Sequence, residues 1–314
     1  MEKLIVSTSP HIRTKISTQN IMADVLIALS PAAVAGIVLF GFRALLIMAV
    51  TVAAAVGSEF LFNLICKREQ TIGDLSAAVT GLILALCLPV KVSVWECIVG
   101  SVFAIVVVKC FFGGIGCNFA NPAATGRVLL LSAFSGAAGG SATVFASAEL
   151  VASATPLEAI SQGAELSTLP SLLDMLLGNR GGAIGETCII ALVLGGIYLI
   201  ARRVIKWEVP VIYIATVFVL ALIIKQDITV ALYQVLGGGL VIAAFFMITD
   251  YVTTPINRIG KMVFAFGCGV LTAVFRFYSK MPEGASYAIL LMNILSPYIE
   301  KWCTRKPLGK GGKQ

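Results

Sequence analysis

Six ionisable side chains fall inside or at the edges of long apolar runs: Asp24, Glu59, Asp74, Asp250, Lys109 and Arg127. An ionisable group at membrane depth costs about 2.5–3.5 kcal/mol on insertion scales, so it needs either a partner or a function. Asp24, Asp74, Lys109 and Asp250 lie near enough to run ends to reach lipid headgroups, which accounts for them without any chemistry. Glu59 lies about two turns inside its run and Arg127 near the middle of its own, so that account fails for them. A Glu59–Arg127 ion pair would satisfy both. The alternative for the carboxylates is ion binding, since a hard cation takes oxygen ligands.

Two further stretches carry polar groups in unusual backbone. Gly113-Gly114-Ile115-Gly116-Cys117-Asn118-Phe119-Ala120-Asn121-Pro122-Ala123 combines three glycines with two asparagines. The glycines allow uncommon backbone angles and close approach of a ligand. Asn121-Pro122 reads as a helix start, with Pro in the first turn and exposed N–H groups that favour an anion or a polar ligand. A capped helix start is the plainer reading. Further on, Thr155-Pro156 reads as another cap and first helical position, an ordinary loop-to-helix junction. Eight cysteines are present, none in a C-x-x-C pair, and most sit in apolar runs as small buried hydrophobes. Cys110 and Cys117 flank the Gly-rich turn, which leaves an intramembrane metal site open. His11 is the single histidine, so zinc and haem have few ligands to draw on.

The elements that must position these residues are membrane spans. The chain is 58% hydrophobic and 12% charged over 314 residues. Soluble proteins carry about 25% charged residues, and a mean hydropathy of +0.96 does not describe an apolar core with a polar skin. At about 20 apolar residues per span, the runs give about ten spans: 21–40, 44–66, 75–88, 92–108, 121–134, 183–200, 209–224, 230–249, 261–277 and 285–302. The fold class expected is an all-α polytopic membrane protein. The first twenty residues are polar and basic and lack the apolar region of a cleavable signal.

Several spans are short or interrupted, the third by Pro89 and the eighth by Gly237-Gly238-Gly239. Broken helices at depth mark sites, because protein or a cavity must cover them. With an inside N-terminus, the inner segments hold Lys67, Arg68, Lys109, Arg202, Arg203, Lys206, Arg258, Lys261 and a basic tail. The outer ones hold Arg43, Lys91, Arg180, Lys225, Arg276 and Lys280. This bias toward the inside places both termini in the cytoplasm. It makes the net charge of +7 a topology and lipid signal, not a nucleic-acid one. The long connection 135–182 falls outside and divides the spans five and five, so the halves run in opposite senses. Asp74 and Asp250 at the cytoplasmic ends of the broken third and eighth spans echo one another, as an inverted repeat would. The expected divisions are a first five-helix repeat (1–134), an extracytoplasmic loop (135–182), and a second repeat with a basic tail (183–314).

The chain resembles the RnfD family, the D subunits of the Rnf complex, an ion-translocating ferredoxin:NAD oxidoreductase. That family is related to the NqrB component of the sodium-pumping NADH:quinone oxidoreductase. The resemblance spans essentially the whole chain. It runs through Ser7-x-Ser9-Pro10-His11, the Gly113–Ala123 segment with Gly126-Arg127, and Ala154-Thr155-Pro156-Leu157. It continues through Met247-x-Thr249-Asp250-Tyr251-x-Thr253-x-Pro255 and Glu283-Gly284-x-x-Tyr287-Ala288. The family attaches FMN through its phosphate to a Thr in a Ser/Thr-Gly-Ala-Thr motif. The matching positions here are Ala152-Ser153-Ala154-Thr155, of which the last two agree, and Glu149 stands where Asp is usual.

The resemblance implies covalent FMN at Thr155 and a second, non-covalent flavin, riboflavin, by Asn118 and Asn121. It implies a translocated cation at Asp250 and Glu59, with no catalytic residue in the chain itself. The implied partners are the other Rnf proteins, namely the flavin-bearing RnfG and the iron–sulfur membrane proteins RnfA and RnfE, together with lipid and a flavin transferase. A urea- or ammonium-type solute channel has the same five-plus-five outline and is the alternative, since fold does not decide function.

Overall fold

The computed structural model describes residues 17–134, 142–146, 149–153, 155–161, 169–279 and 284–304, with backbone alone in 142–146 and 149–153. Helix α1 (Thr18–Phe40) opens where Ser17 Oγ accepts from the Asn20 N–H and closes at Gly41, whose φ is 70°. Gly41 is the whole connection to α2 (Phe42–Ile65). That left-handed angle suits a residue without Cβ. A single 3-10 turn, Ile72–Asp74, then leads into α3 (Ser76–Leu86). Asp74 Oδ1 caps this start, accepting from the Ser76 N–H at 2.8 Å and from its hydroxyl at 2.5 Å.

Helix α3 has 11 residues. At about 1.5 Å per residue it falls well short of a hydrocarbon core roughly 30 Å thick. Its end is completed by distant chain: the carbonyls of Leu86 and Leu88 accept from the Gly185 and Ile184 N–H groups at 2.7 and 3.0 Å. Residues 183–186 therefore run as non-helical backbone against the end of α3. This corrects the expected span at 183–200, since helix α8 begins only at Ile189 (Ile189–Ala201). Carbonyls at a helix end need donors, and a short helix at depth has no water to supply them.

Helix α4 (Val94–Val102) continues directly into π-helical backbone, Phe103–Cys110. The Gly turn follows, with φ of 120°, 94° and 90° at Gly113, Gly114 and Gly116, and then α5 (Pro122–Ala133). The long connection is not all loop. Strands β1 (Ala142–Ala146) and β2 (Glu149–Ser153) pair antiparallel, Ala142 opposite Ser153 and Ala146 opposite Glu149. This hairpin departs from the all-α expectation. Two short helices follow, α6 (Pro156–Ser161) and α7 (Leu172–Leu177).

The later part holds α9 (Glu208–Lys225), α10 (Ile228–Leu236) and α11 (Leu240–Ile242), the last continuing into π-helical Ala243–Met247. Helices α12 (Arg258–Tyr278) and α13 (Ala285–Cys303) complete it. The break between α10 and α11 falls at the three glycines and bends the pair by 63°. Among the described residues, α1, α2, α9 and α12 are each long and apolar enough to cross a membrane, and the bent pair makes a fifth such element.

Packing is pairwise: α2 on α3, α1 on α8, α9 on α12, α12 on α13, and α5 against α13. Helix α1 meets α8 at Gly195, where an added Cβ would lie 2.1 Å from the Ala28 carbonyl oxygen. Small residues let helices approach in this way when no water drives them together. The outer faces are apolar. On α8, Ile190, Leu194 and Ile197 are exposed, as are Val211, Val219 and Ile223 on α9. Such a belt needs hydrocarbon, not water, as its solvent, and the chain is a multi-pass membrane protein.

Candidate functional site

The segments that charge counting assigns to one side of the membrane converge on one cleft. Its walls come from the start of α1 (Ile21, Met22, Val25), the start of α3 (Ser76, Val79, Thr80), Lys109, the Gly turn and α5 (Asn118, Asn121), the end of α8 (Leu199), and residues 245–252. Its enclosed cavity is about 100 Å³ and opens into a wider mouth. Most of the lining is apolar, with polar groups from Ser76, Thr80, Lys109, Asn118, Asn121, Thr249 and Asp250.

Asn121 caps α5, its Oδ1 accepting from the Ala124 N–H at 3.1 Å. Its Nδ2 donates to the Met247 carbonyl at 3.2 Å, tying the helix start to the π-helical segment across the cleft. One N–H of that amide remains for a ligand. Asn118 is partly exposed and donates to the Ala120 carbonyl at 3.2 Å. Asp250 closes a turn at the cleft wall: its carboxylate accepts from Thr253 Oγ1 at 3.1 Å, and its carbonyl accepts from Thr254 Oγ1 at 2.6 Å. Tyr251 fastens the same turn by donating to the Val204 carbonyl.

Glu59 does not pair with Arg127. Its partner is Lys109, whose Nζ lies 2.8 and 2.9 Å from the two carboxylate oxygens and 2.6 Å from Ser76 Oγ. Thr71 Oγ1 donates to Glu59 Oε1 at 2.6 Å, and Asn63 donates to Thr71. Lys109 is thus no headgroup-reaching side chain; it is 3% exposed. Asp24 does behave as an interfacial residue, paired with the exposed Arg202 at 3.2 Å and accepting from Tyr198.

Arg127 faces Glu186 instead, with 3.8 Å between Nη2 and Oε1. Two further guanidiniums lie in the same region, Arg180 and Arg276, 3% and 6% exposed. Charge counting had placed both in outer loops. Arg180 donates to the Glu186 carbonyl at 2.7 Å. Arg276 donates to the carbonyls of Gln234 and Gly237. These are acceptors set free where α10 breaks, and a cation suits a helix C-terminus. Sequence reasoning missed Glu186, and the available signal was a carboxylate in the first turn of an apolar run.

Thr155 caps α6, its Oγ1 accepting from the Glu158 N–H at 3.2 Å. The second residue of that helix, Leu157, packs over the break: Cβ atoms at Gly237 and Gly238 would lie 2.7 and 2.8 Å from it. Beside α6 lies a second cleft at the other end of the molecule, lined by Leu157, Glu158, Lys225, Gln234, Arg276, Phe277 and Tyr278. Cys110 is buried and Cys117 exposed. No group of three or more His, Cys, Asp or Glu comes together among the described residues, and His11 lies outside them.

Fold and clefts together define a polytopic helical membrane protein with broken helices, a largely apolar cleft carrying a few polar groups at one end and a second, cation-lined one at the other. Residues 5–309 match the model of the NQR2, RnfD, RnfE family, and the chain belongs to that family. It is 44% identical over 309 residues to the D subunit of the Na(+)-translocating ferredoxin:NAD(+) oxidoreductase complex of Acetobacterium woodii, covering 98% of this chain and 95% of that one. It is 39% identical to the D subunit of the proton-translocating ferredoxin:NAD(+) oxidoreductase complex of Clostridium ljungdahlii, covering 95% and 93%. It is 31% identical to the D subunit of the ion-translocating oxidoreductase complex of Methanosarcina acetivorans, covering 98% of each chain.

Proposed function

We propose that the chain is the D subunit of an ion-translocating ferredoxin:NAD oxidoreductase, relaying electrons through two flavins in its two clefts. The observation that carries this is the end-to-end match to D subunits of such complexes, over 98% of this chain in the first relative. In this reading the spans form two inverted five-helix repeats, 1–134 and 183–314, around an extracytoplasmic loop 135–182. Both termini are cytoplasmic. Other subunits supply electron entry and exit.

The residues present suit the cofactors. FMN would be held through its phosphate on Thr155, next to a cleft where Lys225 and Arg276 offer positive charge and Phe277 and Tyr278 offer aromatic faces. Riboflavin would sit in the inner cleft, against the apolar lining and within reach of Asn118 and Asn121. Flavins supply one- and two-electron redox chemistry when bound. The chain's residues position them, exclude water and set the surrounding charge. Arg127, Arg180 and Arg276 gather with the Glu186 carboxylate behind the outer cleft. Glu59 and Asp250 hold the translocated cation.

The test is functional replacement in a bacterium lacking its own D subunit. Membranes should regain ferredoxin-dependent NAD+ reduction coupled to ion uptake with the wild-type chain and not with Thr155→Ala. Full coupled activity in the variant would remove the covalent flavin from the relay.

A further inference from the structure

The inner cleft and the Glu59 network meet at one side chain, Lys109. Its ammonium sits at the focus of three oxygens, Glu59 Oε1 and Oε2 and Ser76 Oγ, at 2.8, 2.9 and 2.6 Å. Two more oxygens stand behind these. Thr71 Oγ1 is 2.6 Å from Glu59 Oε1, and Asp74, which accepts the Ser76 hydroxyl through Oδ1, keeps a buried Oδ2 without a partner among the described residues. A carboxylate with converging hydroxyls is the donor set a hard cation takes, and here an amino group fills it.

We propose that Lys109 is a tethered ammonium that holds the place of an alkali cation at Glu59, and that the cation binds when Lys109 withdraws into the inner cleft. Three features distinguish this from a structural ion pair. Lys109 and Ser76 line the cleft whereas Glu59 does not, so the residue that pairs with Glu59 also borders the cleft. Lys109 belongs to the π-helical turn Phe103–Cys110, a backbone form that recurs at functional sites. That turn runs into Gly113, Gly114 and Gly116, which tolerate rearrangement. Asp250 lines the same cleft.

The exchange conserves charge: Glu59 faces one positive charge before and after. Any negative charge arriving in the cleft draws Lys109 from Glu59 and favours cation entry, which couples the two sites through a named element with two positions. The identity of that arriving charge, and the reading of the bound cation as the translocated ion, rest on the proposed function. The exchange itself needs no flavin.

The test is sodium binding to the full chain, purified in detergent and measured with radioactive sodium against a choline background. Lys109→Gln, which keeps a hydrogen-bonding side chain beside Glu59, should bind one sodium about tenfold or more tightly than wild type, a difference of about 1.4 kcal/mol. Lys109→Arg, which retains the charge, should stay at the wild-type level. The double variant Glu59→Gln/Lys109→Gln should lose the gain. Thermal unfolding provides a second reading, because a ligand of the folded state raises Tm. Sodium should stabilise Lys109→Gln and not the double variant.

Unchanged sodium affinity in Lys109→Gln, tightening that survives in the double variant, or a Lys109→Gln protein that sodium does not stabilise would each overturn the exchange. Covalent flavin at Thr155 is read separately. A flavin-bearing chain with no sodium gain removes the exchange alone, and a flavin-free chain with the gain removes the redox reading alone.

Discussion

Arg276 is where the broken helix can be tested most sharply. It is buried, and it donates to the carbonyls of Gln234 and Gly237 at the end of α10. Replacing it by Met keeps most of the apolar volume and removes every donor. Two buried carbonyls lose their partner, and each unsatisfied acceptor costs about 1–3 kcal/mol, so the loss is about 2–6 kcal/mol. With each kcal/mol worth roughly 2–4 °C in a chain somewhat smaller than this one, Tm in detergent should fall by about 4–24 °C. Arg276→Lys should recover part of this, because one ammonium cannot reproduce the guanidinium fork. The assay is thermal unfolding of the purified chain followed by far-ultraviolet circular dichroism. A Met variant that melts with the wild type would refute the idea that Arg276 completes the helix end.

Further expectations concern packing, the inner cleft and the surface. Gly195→Ala should destabilise by about 1–3 kcal/mol through overpacking at the α1–α8 crossing, since its Cβ meets the Ala28 carbonyl oxygen. Gly57→Ala, whose Cβ meets nothing within 4 Å, should gain a few tenths of a kcal/mol or more from lost chain entropy; the two melting curves check both. Asn121→Ala removes the α5 cap and the tie to Met247, costing about 1–2 kcal/mol. It should also reduce the riboflavin released on denaturing the purified complex, measured by chromatography. Glu208 at the start of α9 accepts from Arg258 at 2.9 Å. Glu208→Gln should change Tm little, because Arg258 is exposed and the pair is screened by salt.

The backbone breaks were legible because residue types enforce them: three glycines at 237–239, Asn121-Pro122 at a helix start, and Thr155-Pro156 at another. The charge bias puts the segments of Asn118, Asn121 and Asp250 on one side of the membrane, but only the packing brings the three to one cleft. Other features left no local trace. The partner of Glu59 is fixed by how α2 and the π-helical turn pack, and fifty residues of intervening sequence do not encode that contact. A π-helix shifts the hydrogen-bond register without changing the apolar pattern, so 103–108 read as part of an ordinary span. Arg180 and Arg276 were counted as outer charges because a charge count cannot see carbonyls freed by a distant break. The hairpin at 142–153 was hidden because Ala and Ser, which fill much of that stretch, carry little strand signal.

Thr155 is the residue on which the proposed flavin relay depends most directly. The chain, co-expressed with a flavin transferase, should give a band with flavin fluorescence on a denaturing gel, and Thr155→Ala should give a dark band of equal protein. A dark wild-type band, with the transferase active on a control substrate, would contradict the relay, as would a bright Thr155→Ala band.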